Sequence, residues 1–199
     1  MNYKRNNKRF SVAGRGEYLS TSDFIVEYYT NLDACRKFFF DMKWPTGYYC
    51  EKCGCTHYYF MKSKNCYRCA HCKHDERLFT NTIFQDNKLP LNVLLYGLFL
   101  IFTAKKGISS LELSEELKVN YKTACLLQTK ARILMKNSNS KKSLDSSFYE
   151  SDVAYTGAPS HNGKRGLGTD KQPFLVVLST EQENQYPLYI KLHEVTSDS

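Results

Sequence analysis

From Ser20 to Trp44 the apolar residues recur at helical spacing. Phe24, Ile25 and Tyr28 predict one short helix, capped by Ser22 or Thr21, and Leu32, Cys35, Phe38 and Phe39 predict a second. Pro45-Thr46-Gly47 breaks that period. From Tyr48 to Thr82 the pattern changes to short strands and turns, with Tyr48, Tyr58, Tyr59, Phe60 and Tyr67 as strand-forming aromatics. Pro90 opens a further helix in which Leu91, Leu94, Leu95, Leu98, Ile101 and Phe102 share one face, and Gly107 is expected to end it. Ser109 and Glu112 stand at capping-box spacing before Leu113 and Leu117. Val119-Asn120 predicts a turn, after which Ala124, Leu127, Ala131 and Leu134 define another helix. A Ser/Asn/Lys-rich linker is predicted from Asn137 to Ser147. Three strands follow at Phe148–Tyr155, Phe174–Ser179 and Leu188–Leu192, with a basic glycine-rich loop at Ser160–Gly168 between the first two.

Charge sharpens this outline. The 199 residues carry 28 Lys and Arg against 20 Asp and Glu, a net charge of +8. Such a surplus suits nucleic acid or an anionic membrane surface. The segment from Met1 to Arg15 reads as a mobile basic arm. No secretory signal is expected, because Met1–Lys8 is polar and no apolar run follows. The longest apolar stretch, Leu91–Ala104, is too short to span a bilayer.

With no signal peptide, the eight cysteines point to a reducing compartment. Cys50-x-x-Cys53 and Cys69-x-x-Cys72 are separated by fifteen residues. Each pair can set two sulfurs at one side of a tetrahedron, and two pairs close it around zinc. A four-sulfur iron site fits the same donors, although nothing else in the sequence points to electron transfer. Cys55, Cys66, His57, His71 and His74 lie nearby, but the two intact pairs already supply four ligands. Cys35 and Cys125 fall on apolar helical faces and read as packing residues. With every coordination position taken by sulfur, the zinc is predicted to be structural.

The helices at Leu111–Leu117 and Tyr121–Lys136, joined by a short turn, fit a helix-turn-helix. In that arrangement Tyr121, Lys122, Thr123 and Gln128 lie nearest the DNA, and Lys130 and Arg132 suit phosphates.

Several segments together resemble the ISXO-two-like insertion-sequence transposases. Trp44–Gly54 is similar to that family's first zinc knuckle, and Tyr67–Cys72 to its second. Phe79–Phe84 with Lys88–Leu91 resembles its step from ribbon to helix, and Gly107–Ser109 with Tyr121–Ala124 its helix-turn-helix. Tyr149–Gly157 looks like the first strand of its RNase H-like catalytic domain. The resemblance runs from about Tyr18 to the C-terminus. It departs at Glu51, where the family usually has proline, and at Val153 and Ala158, where it has an acid and a second glycine.

The resemblance implies an α+β protein with N-terminal helices, a zinc ribbon, a helix-turn-helix bundle and a partial RNase H-like sheet. The expected boundaries are 1–17 for the arm, 18–44 for the N-terminal helices and 45–84 for the ribbon. The helical domain spans 88–137, the linker 138–147 and the RNase H-like segment 148–199. It implies terminal inverted repeats as the DNA partner, with Lys164 and Arg165 in the basic loop as further contacts. A homo-oligomer or association with a full-length transposase is a further expectation, as is a place in the bacterial cytoplasm at the nucleoid. The family's Asp-Asp-Glu triad holds magnesium, and its first carboxylate falls on Asp152. Strand transfer uses two divalent ions, which one aspartate cannot position. Glu150 shares the strand face of Asp152 and reads as a solvated neighbour.

The expected protein is therefore a truncated transposase with an incomplete triad. The competing readings are a non-enzymatic zinc-ribbon regulator or inhibitor of transposition, and an RNA-binding or transcription-associated ribbon.

Overall fold

The computed structural model describes residues 20–104, 106–140, 148–157, 171–180 and 187–195. It is an α+β chain that separates between Ile133 and Leu134 into two compact units. The expectations for the arm (1–17), for the 160–168 loop and for most of the linker fall outside the described residues.

The first unit opens with α1 (Thr21–Phe24), which continues as a π-helical turn over Ile25–Tyr29. Its cap is Ser20 rather than Thr21 or Ser22, because Asp23 answers it: the Asp23 N–H donates to Ser20 Oγ and the Ser20 N–H to Asp23 Oδ2. α2 (Leu32–Lys43) is capped by Asn31 Oδ1, which accepts from the Ala34 N–H. A three-stranded antiparallel ribbon follows: β1 (Tyr58–Met61), β2 (Cys66–Cys69) and β3 (Asp75–Glu76) in that order. Tyr48, expected in a strand, lies in the loop that leads into the first knuckle.

Phe40 on α2 binds the ribbon to the helix. Its ring lies 4.8 Å from Trp44, 5.4 Å from Tyr58 and 5.1 Å from Tyr67. One face of the sheet is thereby covered, the face that carries Tyr58, Phe60, Tyr67 and Cys69. Beneath it, Lys43 Nζ lies 2.6 Å from Glu76 Oε1, with Glu76 only 1 % exposed. Lys43 also donates to the Arg77 carbonyl at 2.8 Å and sits over the Trp44 ring.

α3 (Leu91–Thr103), α4 (Ser110–Leu117) and α5 (Tyr121–Ser140) complete the helical part. α3 starts after Pro90 as expected, but Ala104 rather than Gly107 caps its end. Its first-unit partners are aromatic: Phe24 stacks on Phe99 at 4.2 Å, and Tyr96 Oη donates to Glu116 at 2.8 Å. At Gly97 the helices approach so closely that a Cβ would come 2.6 Å from Leu127 and 2.8 Å from Leu117. α4 is capped by Ser109, whose Oγ accepts from the Glu112 N–H. It ends on Lys118, in the left-handed region at φ +52°, and Asn120 Oδ1 accepts from the Lys122 N–H to start α5. α5 runs to Ser140, past the point at which the linker was predicted to begin.

The second unit contains β4 (Phe148–Thr156), β5 (Gln172–Thr180) and β6 (Pro187–Glu194), an antiparallel sheet in the order of the sequence. All three strands run slightly longer than their periodicity predicted. Asn139, near the end of α5, donates to the Ile190 carbonyl of β6 at 2.7 Å. β5 is apolar on both faces, since Phe174, Val176 and Leu178 alternate with Leu175 and Val177.

The Lys43–Glu76 pair gives a stability test. Lys43→Met strands a carboxylate in the interior and is expected to destabilise the zinc-loaded protein by about 3–5 kcal/mol in urea unfolding. Lys43→Met combined with Glu76→Leu is expected to recover most of that loss, because an apolar pair leaves no buried charge.

Candidate metal centre

Two turns of the same construction build the site. In the first, the Gly54 N–H donates to the Cys50 carbonyl and the Cys50 N–H to the Cys55 carbonyl, at 2.8 and 2.9 Å. In the second, the Lys73 N–H donates to the Cys69 carbonyl and the Cys69 N–H to the His74 carbonyl, at 3.2 and 2.9 Å. Each turn needs a left-handed residue immediately after its second cysteine. Gly54 supplies it at φ +70° without steric cost, and Lys73 adopts it at φ +58°. The β1–β2 pairing sets Tyr58 opposite Cys69 and brings the second turn beside the first.

The four Sγ atoms lie within 4.8 Å of one another. Cys50 and Cys72 are 3.5 Å apart, as are Cys53 and Cys69. A tetrahedron with zinc–sulfur bonds of about 2.3 Å has sulfur–sulfur edges of roughly 3.8 Å. The donor set and its spacing fit a structural zinc ion. Among the described residues no other group of His, Cys, Asp or Glu gathers three potential ligands. Cys55, Cys66, His57, His71 and His74 stay outside the cluster, as the two-pair reading expected. Cys66 is buried in β2, while burial pushes the Cys35 thiol up to about 11 and leaves it a packing residue.

The sulfurs do not share their protons equally. Burial opposes ionisation of Cys69, but the backbone N–H groups of Cys72 and His71 and the thiols of Cys53 and Cys72 outweigh it. Its pKa falls to about 6. At Cys53 the Cys55 N–H favours the thiolate, but desolvation and the thiols of Cys72, Cys69 and Cys50 prevail. They hold that proton up to about 12. Zinc binds thiolates, so its binding at neutral pH releases protons from the cluster. The cysteine spacing gave no sign of Tyr48, whose buried hydroxyl lies beside the cluster. Burial first, then the charges of Cys50, Cys69 and Glu76, push its phenol well above the usual range.

The helical candidates separate into two groups. Tyr121 and Lys122 are exposed on the first turn of α5, and Arg132 is exposed further along. Thr123 is half-buried, and Lys130 lies half-buried with its ammonium 5.8 Å from the Phe84 ring. Gln128 is corrected: it is 5 % exposed and does not face solvent. Its Nε2 donates to the Ile108 carbonyl at 2.6 Å and its Oε1 accepts from Ser110 Oγ at 2.8 Å, so it ties α5 to the start of α4. Thr129, exposed one turn along from Cys125, is accessible where Gln128 is not. Lys164 and Arg165 lie outside the described residues.

Asp152 stands exposed in the middle of β4, opposite Val176, with Glu150 on the same face. Glu194 shares that face, two strands away on β6. These acids do not converge, so among the described residues no two-ion magnesium site forms here.

Residues 31–75 match the family model of the transposase zinc-ribbon domain. The matched stretch begins at the cap of α2, so it takes in the helix as well as both cysteine pairs. No curated protein and no solved structure matches the chain. The ribbon is thus similar to the zinc ribbon of transposases, and among the described residues no helix is long and apolar enough to cross a membrane.

Metal analysis of the purified protein is expected to return about one zinc per chain, and Cys50→Ser or Cys69→Ser is expected to abolish it with the folding of the ribbon. Full occupancy in either variant would contradict the ligand assignment. Because binding expels protons, zinc affinity is expected to rise with pH. Calorimetry in two buffers of different ionisation enthalpy reads the protons released.

Proposed function

We propose that the chain acts in DNA transposition as an insertion-sequence transposase, binding the terminal inverted repeats of its element through the ribbon and the α4–α5 helices. The observation that carries this reading is the transposase zinc-ribbon match over residues 31–75, coincident with a four-sulfur cluster of zinc dimensions. The net charge of +8 supports a polyanionic partner. The three-residue turn from Lys118 to Asn120, with Tyr121 and Lys122 exposed at the start of α5, supports a helix-turn-helix whose second helix enters the major groove. The exposed carboxylate of Asp152 on the first strand of an antiparallel sheet supports its role as first ligand of an RNase H-like Asp-Asp-Glu site.

The second reading is a non-enzymatic ribbon regulator or inhibitor of transposition. It is favoured by the lack of convergent acids around Asp152 among the described residues. The two readings share the DNA and differ in the chemistry. Specific binding without magnesium-dependent cleavage by the purified 199-residue chain fits both a transposase with an incomplete triad and the regulator; inhibition of strand transfer by a full-length relative supports the regulator.

Selection from a random duplex library is expected to recover a motif that recurs in opposite orientations on the two sides of the gene. Failure to enrich any motif would contradict the inverted-repeat reading. Lys122→Ala is expected to weaken duplex binding and to reduce the slope of log affinity against log salt by about one.

A further inference from the structure

The ribbon sheet has two faces, and α2 covers only one of them. By the β1–β2 register, Tyr59 lies opposite Arg68 and Met61 opposite Cys66, on the face turned away from the helix. Arg68 is in turn opposite Asp75 of β3. Tyr59 is 61 % exposed and joins no aromatic cluster among the described residues, while its neighbour Tyr58, 40 % exposed, packs against Phe40, Tyr48 and Tyr67. The Lys73 ammonium sits 5.8 Å from the centre of the Tyr59 ring and is held there by a 2.9 Å hydrogen bond to the Ala70 carbonyl.

The charge on this face is unbalanced. Asp75 is engaged by Arg68 in two hydrogen bonds of 2.5 and 2.7 Å, with Lys64 at 4.0 Å. Glu76 faces inward to Lys43. Lys73, over the Tyr59 ring, and Arg77, two residues after Asp75, have no carboxylate partner among the described residues. At the far end of the face a cleft of about 710 Å³ opens between the ribbon and the 78–91 segment, with Lys64, Cys66 and Arg77 among its walls.

We propose that this outer face is a binding surface for unpaired DNA, in which Tyr59 stacks on a base and Lys73 and Arg77 take the adjoining phosphates. The inference rests on the DNA-binding reading above and adds to it the form of DNA that the ribbon grips. The chemistry selects the form. An aromatic ring stacks with any base whose face is free, and a cationic surround follows the backbone. In a duplex the faces are already stacked on their neighbours, so an exposed tyrosine on a flat sheet gains little there. A frayed or nicked end offers the free face.

Fluorescence anisotropy of the zinc-loaded chain with a labelled oligothymidylate of about 16 nucleotides and a mixed-sequence duplex of the same length tests this. Tyr59→Ala is expected to weaken oligothymidylate binding roughly ten-fold or more and to leave the duplex nearly unaffected, while Tyr59→Phe keeps wild-type affinity for both. Arg77→Ala is expected to lower the single-strand salt slope by about 0.7. Unchanged zinc content shows that Tyr59→Ala is folded. If the wild-type chain binds duplex and Tyr59→Ala leaves oligothymidylate binding intact, the stacking surface is overturned and the DNA-binding reading stands. Equal losses on both probes would mean that the face grips duplex and would likewise overturn the inference. If the wild-type chain binds neither probe, the proposed function itself fails.

Discussion

Four sulfur atoms gathered by two hairpin turns are the constraint on which the first unit depends. The ribbon strands are four, four and two residues long, too short to hold a sheet by pairing alone. Bound zinc contributes folding energy where the apolar core is small. Once the turns at Cys50–Cys53 and Cys69–Cys72 share a metal, the β1–β2 register follows, because Cys69 is itself a strand residue opposite Tyr58. That register decides every facing. Tyr58, Phe60 and Tyr67 turn toward α2, and Tyr59 and Arg68 turn away from it. A one-residue slip would exchange the two sets.

The inner face then becomes a joint between metal site and helix. Phe40 fills the aromatic cluster, and the Lys43–Glu76 pair lies buried below it. Such a pair adds little net stability over apolar residues but penalises any arrangement that separates its members. It thereby favours one seating of α2 on the ribbon. The family match, which starts at the cap of α2, is consistent with helix and ribbon forming one structural piece. Cations unneeded for this joint remain on the outside, and those at the start of α5 are presented by the Asn120 cap.

Much of this was legible in the residues. The cysteine spacing identified the four ligands, and the leucine period after Pro90 located α3 to within a residue at its start. Other features depend on partners that a periodic reading does not contain. Ser20, Thr21 and Ser22 are three adjacent hydroxyls, and the carboxylate of Asp23 selects Ser20. Gln128 falls next to the apolar Leu127, and only the nearby Ile108 carbonyl and Ser110 hydroxyl show why a polar side chain is buried there. Tyr58 and Tyr59 are indistinguishable in sequence; the position of α2 decides which of them joins the aromatic cluster. The polar composition of Asn137–Ser140 predicted a linker, yet those residues complete a helix whose Asn139 bonds to β6.

Zinc-edge X-ray absorption on the purified chain tests the central claim most directly. Four sulfur neighbours at about 2.3 Å, with no nitrogen or oxygen in the first coordination sphere, are the expected result. A histidine nitrogen among the ligands, or a protein that folds with no metal bound, would contradict the account.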